Sequence, residues 1–413
     1  MYLNRPQGRP SSPRRMLIYL ALIGAALLLL RFQDDLRRPV TPTLTPTRAA
    51  QSYIAEGQAH YEAGRLSAAV DAYTQAAALE PDRVDVLVTL SRILALIDRA
   101  EEAIQRAQRA VQIDPKSAPA HAALSMAHDW RGTWLLLHGR DAEAAEHYQT
   151  AVSEAQEAIL LDPAYPEAHA YLAEAYMDLG QLVDAIEAAQ AAVELDPDRP
   201  DVQRAVGYVR ESQGNYRGAA EAYQRAIRFD ATVPYLWLTL GRNYRILSLL
   251  VDGGYFDDAV NAFERAIQID PGYGPAYDEL GWTYYYAQDY RQAAETLEKA
   301  IEVDPDAWSA YGHLGTTYYS NRNYEGAAEV LPRAIELMNE TFDADRYCIN
   351  ATSRACDRLV EAYYTLGLTD FYLAKCEESY ALFDKALVLR PEEPNAIEGI
   401  RLCREAEAAT PAP

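Results

Sequence analysis

Seven short endings punctuate the chain: Leu79-Glu80-Pro81, Ile113-Asp114-Pro115, Leu161-Asp162-Pro163, Leu195-Asp196-Pro197, Ile269-Asp270-Pro271, Val303-Asp304-Pro305 and Leu389-Arg390-Pro391. Their prolines stand 34, 48, 34, 74, 34 and 86 residues apart, which is one or two periods of 34 with additions of 14, 6 and 18. Degenerate endings at Ala231 and Asn339 complete nine units. A period in this range means one supersecondary unit stacked repeatedly, because a single unit cannot bury its apolar stripe alone.

Five residues before every ending stands Ala: Ala76, Ala110, Ala158, Ala192, Ala226, Ala266, Ala300, Ala334 and Ala386. Twelve before stand Ala69, Ala103, Ala151, Ala185, Ala219, Ala259, Ala293, Ala327 and Ser379. Eight before, six units carry a large residue, namely Tyr73, Tyr223, Phe263, Leu297, Leu331 and Phe383. Small side chains at fixed places let two helices approach, and the large one fills the gap beside them. An upstream Gly recurs as well, at Gly57, Gly207, Gly241, Gly281, Gly315 and Gly367. Ala, Leu, Glu and Arg dominate the composition, which favours helix.

The pattern resembles the tetratricopeptide repeat, and the similarity covers residues 50–393. The resemblance implies an all-α, right-handed superhelical solenoid of about nine helix-turn-helix repeats. The first helix of each unit would line a concave groove and the second would face outward. Members of such a family bind peptides or proteins and usually have no catalysis of their own, so neither a cofactor nor an enzyme activity is expected. Residues 394–413 read as a capping helix with a short tail. The Lys/Asn clamp of relatives that bind chaperone tails is not matched, since Ile54 and Gln58 stand in the first unit.

Three length additions break the array. The first, GTWLLLHGRDAEAA (132–145), and the second, LSLLVDG (247–253), add Leu-rich surface, read either as self-packing of a longer hairpin or as a partner contact. The third, TFDADRYCINATSRACDR (341–358), holds Cys348 and Cys356, and the other cysteines are Cys376 and Cys403. An even number near one end, in a chain read as exported, points to disulfides. Of three connectivities, Cys348–Cys356 with Cys376–Cys403 is favoured; free buried thiols are the competing reading, and a weak metal site is the minor one. Asn350-Ala-Thr is a glycosylation sequon, more readily a chance match.

Residues 16–30, MLIYLALIGAALLLL, follow Arg5, Arg9, Arg14 and Arg15. The run is short for a span of roughly 20 residues and also fits a cleaved signal core. No small-x-small site follows, and Arg31 can snorkel to extend the segment over Phe32. The reading is therefore a cytoplasmic basic tail (1–15), a transmembrane signal anchor (16–32), a Thr/Pro-rich linker (33–49) and an extracytoplasmic body. A cleaved, secreted form is the alternative. Net charge is −23, although the first 48 residues hold eight Arg against two Asp, so the body is strongly acidic. Such a body repels a phosphate backbone, and nucleic acid is not expected as a partner.

No phosphate loop, His-Glu-x-x-His or Gly-x-Ser-x-Gly motif is present. His60, His128, His121 and His169 stand where the repeat places packing residues, His313 is expected toward the groove, and His138 and His147 belong to the long third unit. Unit positions place Arg92, Tyr171, Glu174, Asp178 and Arg204 on the groove. They also place Tyr208, Arg242, Arg245, Trp282, Tyr285, Tyr286, His313, Tyr319, Tyr364, Phe371 and Tyr372 there. Aromatics and Arg carry binding hot spots, and 30 Tyr against 7 Phe suits half-wet surface. The stretch GWTYYYAQDY (281–290) sorts accordingly: Gly281, Tyr284 and Tyr290 build the fold, and Trp282, Tyr285 and Tyr286 turn inward. The expected function is a membrane-anchored scaffold that binds a protein or peptide, in envelope or secretion complex assembly. A carbohydrate-binding scaffold and a cytoplasm-facing docking subunit are the alternatives.

Overall fold

The computed structural model describes residues 13–31, 48–251, 254–342, 348 and 354–409. The basic tail up to residue 12, Phe32, the linker to residue 47, the Asn350 sequon and the tail from residue 410 lie outside the described residues. The chain divides into two units, Met1–Arg48 and Ala49–Pro413.

The first unit holds one helix, α1 (Pro13–Arg31), with its apolar side chains exposed. No helix among the described residues is long and apolar enough to cross a membrane. The expected transmembrane helix over 16–32 is therefore not shown. Fifteen apolar residues rise about 22 Å as a helix, short of a hydrocarbon core of about 30 Å.

The second unit is helical, with no strand among the described residues. Its first six helices are α2 (Ala50–Glu62), α3 (Leu66–Leu79), α4 (Val84–Leu96), α5 (Ala100–Ile113), α6 (Ala118–Leu137) and α7 (Asp141–Leu161). Then come α8 (Pro166–Asp178), α9 (Leu182–Leu195), α10 (Pro200–Ser212), α11 (Tyr216–Phe229), α12 (Pro234–Leu250) and α13 (Phe256–Ile269). The last seven are α14 (Gly274–Tyr286), α15 (Tyr290–Val303), α16 (Trp308–Ser320), α17 (Tyr324–Phe342), α18 (Arg354–Tyr372), α19 (Cys376–Leu389) and α20 (Pro394–Ala409). From α2 onward they pair into nine consecutive hairpins, and α20 packs against α18 and α19 as a cap.

The two fixed small positions explain the pairing. All nine Ala residues five before an ending, and all nine small residues twelve before, are 0% exposed. The recurrent Gly lies on the large residue of the partner helix. A Cβ on Gly281 would come within 2.6 Å of Leu297 Cγ and 3.2 Å of the Ala293 carbonyl oxygen, so only Gly lets α14 and α15 meet this closely.

The Asp-Pro ending is a helix stop. In the sixth ending, the Asp304 N–H donates to the Ala300 carbonyl, and the Asp304 carboxylate accepts the Asp306 N–H at 3.1 Å. The same Asx turn forms at Asp114, Asp162, Asp196, Asp230 and Asp270. Except after Asp230, where Ala231 stands, the intervening residue is Pro, which has no N–H to leave unpaired and disfavours helical continuation.

The additions of 14 and 6 lengthen hairpins. In the third, α6 and α7 reach 20 and 21 residues, against 13 and 14 in the first. Leu135, Ala144 and Tyr148 pack together there with Trp134, so much of the added surface is self-packing. Leu136 and Leu137 remain exposed, as do Leu249 and Leu250 in the sixth hairpin.

Candidate functional site

Residues read as groove-lining divide into two sets. In hairpins three to five, the first helices meet through paired polar groups. Arg204 donates Nε and Nη2 to the Glu174 carboxylate, both at 2.8 Å. Tyr171 Oη donates to Asp201 Oδ1 at 3.0 Å, and Tyr208 Oη donates to Asp178. Arg92, two hairpins earlier than α8, closes on Asp201 Oδ2 at 2.5 Å.

The same region folds back on itself. Tyr61 Oη at the end of α2 donates to Asp230 Oδ2 at 2.6 Å. Tyr61 and Leu96 pack on the buried cluster of Tyr223, Leu236 and Leu240, and Trp130 lies against Tyr235 with ring centres 4.9 Å apart. Gly64 has φ +73°, and a Cβ there would strike Ile269 Cγ2. The inner side of the first six hairpins is therefore occupied by its own side chains.

This network contains a carboxyl pair. Burial pushes Asp129 well above the carboxylate range, helped by the nearby charges of Asp178 and Glu174. Burial raises Asp178 to about 7, against the lowering effect of its Tyr208 hydrogen bond. The nearby charge of Asp178 thus adds to burial in favouring the protonated form of Asp129.

Arg242 and Arg245 do not project freely. Arg242 Nε donates to Glu279 Oε1 at 2.7 Å, and Arg245 Nη1 meets Glu279 Oε2 at 2.5 Å. Burial alone would raise the Glu279 pKa, but Arg242, then Arg245, hold it far below the carboxylate range. The expected role of these arginines, meeting acceptor groups on a partner, is met inside the chain by Glu279.

The last three hairpins differ. Trp282 is 5% exposed and forms the floor of an aromatic stack. Tyr285 lies parallel to it at 4.3 Å, His313 stacks on it at 4.1 Å, and Tyr286 meets it edge-on at 5.3 Å. His313 Nδ1 is 2.7 Å from Asp278 Oδ1, and Arg358 lies 5.0 Å from the indole centre. Tyr285 Oη reaches Ser320 Oγ at 3.2 Å, tying α14 to the end of α16. Tyr319 then neighbours Tyr324 and Tyr372 at 5.9 and 6.2 Å, and Tyr324 stacks on Tyr372 at 4.5 Å. Phe371 packs edge-on to Tyr372, while Tyr364 is half-buried near Glu361 and Tyr285. Burial, with Tyr372 and Tyr324 nearby, pushes the Tyr319 phenol up to about 12, so it stays a neutral donor. Tyr286 at 44% and Tyr372 at 50% are the open rings of this set.

Thus Trp282, Tyr285, Tyr286, Tyr319, Phe371 and Tyr372 are brought together. Tyr208, Arg242 and Arg245 belong to the internal networks. Sequence reading missed Glu279, Tyr324 and Arg358. A signal existed for Glu279: it stands one period of 34 after Arg245, with opposite charge. Of the remaining histidines, His128 and His147 face each other with Nδ1 atoms 2.9 Å apart. No group of three or more His, Cys, Asp or Glu among the described residues could hold a metal ion.

The fold and this face define an α-helical hairpin solenoid, a repeat architecture that presents extended binding surface. Tetratricopeptide repeat family models match residues 60–127, 142–207, 184–234, 241–273 and 279–339. These matches together take in more than half of the chain, which belongs to the tetratricopeptide repeat family. Among solved structures, the human IFIT1 dimer with PPP-AAAA is similar at TM-score 0.59 and 18% identity, covering 87% of this chain and 84% of that one. PilF of Pseudomonas aeruginosa is similar at TM-score 0.46 and 17% identity, covering 60% and 98%. The TPR protein TTC0263 of Thermus thermophilus is similar at TM-score 0.40 and 21% identity, covering 47% and 98%. None of the curated proteins matches.

Proposed function

We propose that this repeat scaffold binds an extended peptide or a helix on the aromatic face of its last three hairpins. The observation that carries the reading is the pair of open rings, Tyr286 and Tyr372, set on a supported layer of buried or half-buried aromatics. Rigid aromatics backed by packed neighbours lose little conformational entropy on binding and make effective anchors. The first six hairpins act as a stiff support, because Arg204 with Glu174, Tyr171 with Asp201 and Arg92 with Asp201 tie their first helices together.

On this reading α1, with its exposed apolar side chains, attaches the chain to a membrane and the acidic body is held outside the cytoplasm. Its role there is the assembly of an envelope or secretion complex. The acidic body and the pairing of Arg242 and Arg245 with Glu279 disfavour nucleic acid.

Affinity capture with the full chain tests the face. The Tyr286→Ala/Tyr372→Ala chain should lose partners that the wild-type chain captures, with little change in stability. Equal capture by both would sink the docking face. Binding to a glycan array without any captured protein would favour the carbohydrate-binding alternative. A C-terminal reporter active only in the cytoplasm would invert the topology.

A further inference from the structure

The structure joins Cys348 to Cys356, with Cα atoms 5.3 Å apart, and leaves Cys376 and Cys403 as free thiols. Those two thiols are not scattered. Cys376 is the first residue of α19 and is half-buried. Cys403 lies on α20, is 0% exposed, and belongs to the buried cluster that also holds Cys348, Cys356 and Phe383. Cys376 packs against that cluster from its edge.

Cys376 on α19 and Cys403 on α20 thus meet at one buried cluster from adjacent, packed helices. One turn further along both helices, Tyr380 Oη donates to the Glu407 carboxylate at 3.2 Å, which fixes α19 and α20 in register. The cap has packing partners on one side only, α18 and α19. Ala396, Gly399 and Cys403 are its buried residues, so its hold on the array is slight.

We propose that Cys376 and Cys403 form a second, reversible disulfide that locks the capping helix onto the last repeat. The oxidant is a disulfide of the surroundings, either a small-molecule disulfide or that of a dithiol oxidoreductase. Cys376, reachable from solvent, attacks as thiolate, forms a mixed disulfide and releases one thiolate of the oxidant. Cys403 then gives up its proton and attacks Cys376 Sγ, releasing the second thiolate. Two protein thiols are oxidised and one external disulfide is reduced to two thiols. Burial, then contact with Cys376, pushes the Cys403 thiol up to about 12, so it stays protonated until the mixed disulfide forms beside it.

The test uses the full chain equilibrated in glutathione and glutathione disulfide, quenched with iodoacetamide and mapped by mass spectrometry. The expected product is a Cys376–Cys403 cross-linked peptide. Its melting temperature should rise on oxidation beyond that of the Cys376→Ser chain, which keeps the first disulfide. In Cys403→Ser, glutathione should accumulate on Cys376, because the resolving thiol is gone. Recovery of Cys376 and Cys403 as two alkylated thiols from the oxidising buffer would overturn the proposal, as would a cross-link from either to Cys348 or Cys356. Should Cys403→Ser fail to fold, the Cys376→Ser chain decides: Cys403 must then stay unmodified by glutathione.

Discussion

The Tyr61 hydroxyl is 2.6 Å from the Asp230 carboxylate, a hydrogen bond between residues 169 apart in sequence. It joins the first hairpin to the end of the fifth and closes the inner side of the array. A hydrogen bond to a charged acceptor is worth about 1.5–3 kcal/mol when partly buried. Tyr61→Phe should therefore lower stability by about 1–2 kcal/mol and speed amide exchange in α2 and α4. Exchange in α16 to α19 should not change. Equal exchange throughout in both chains would show that the closure contributes nothing.

Glu279 is the shared partner of Arg242 and Arg245. Removing the common carboxylate leaves a mostly buried guanidinium unpaired at Arg245. Glu279→Ala should cost about 3–5 kcal/mol, read from the urea midpoint, whereas Arg242→Ala should cost clearly less because that side chain is partly in water. Folding depresses the Glu279 pKa, so its contribution is present above the ordinary Glu value and is lost as pH falls below it. Acid unfolding of the Glu279→Gln chain should accordingly be less steep.

Asp178 gives the opposite slope. Its folded pKa is raised to about 7, against about 3.9 unfolded. Between those values the folded chain holds a proton that the unfolded chain has released. This contribution is full below the unfolded value and is lost as pH rises through about 7. Urea midpoints should fall from pH 5 to pH 8 in the wild type and flatten in Asp178→Asn. A wild-type midpoint that rises over this range would refute the raised Asp178 pKa.

Gly281 tests the closeness of the hairpin. Gly281→Ala should destabilise by about 1–3 kcal/mol through overpacking. Pairing it with Leu297→Ala should recover part of that loss, seen as a coupling energy in a double-mutant cycle. Strict additivity would mean the two positions do not meet.

The hairpins were legible because their signals are local. Ala76 and Ala69, or Gly281 and Leu297, sit at offsets that every unit repeats, and packing between adjacent helices acts directly on those offsets. The closure by Tyr61 and Asp230 was not legible, since it depends on the small turn added at each unit and summed over five of them. The split of the inner face lies between these cases. Arg204 with Glu174, Tyr208 with Asp178 and Tyr171 with Asp201 are all 30 residues apart. Counting positions within a unit shows which residues face inward. Comparing them across that spacing shows which of them already have a partner.

The long third hairpin exceeds the first by seven residues in each helix. Seven residues turn an α-helix through about 700°, only some 20° short of two full turns, and advance it about 10 Å. The extension therefore keeps phase: Gly132 meets the ring of Tyr148 just as Gly57 meets Tyr73 in the first hairpin. Growth by this increment projects a tip beyond its neighbours without rotating either helix out of the stack. An insertion of five residues in each helix would instead swing the apolar stripe by about 140°. The third hairpin is thus a spur that leaves its foundations undisturbed.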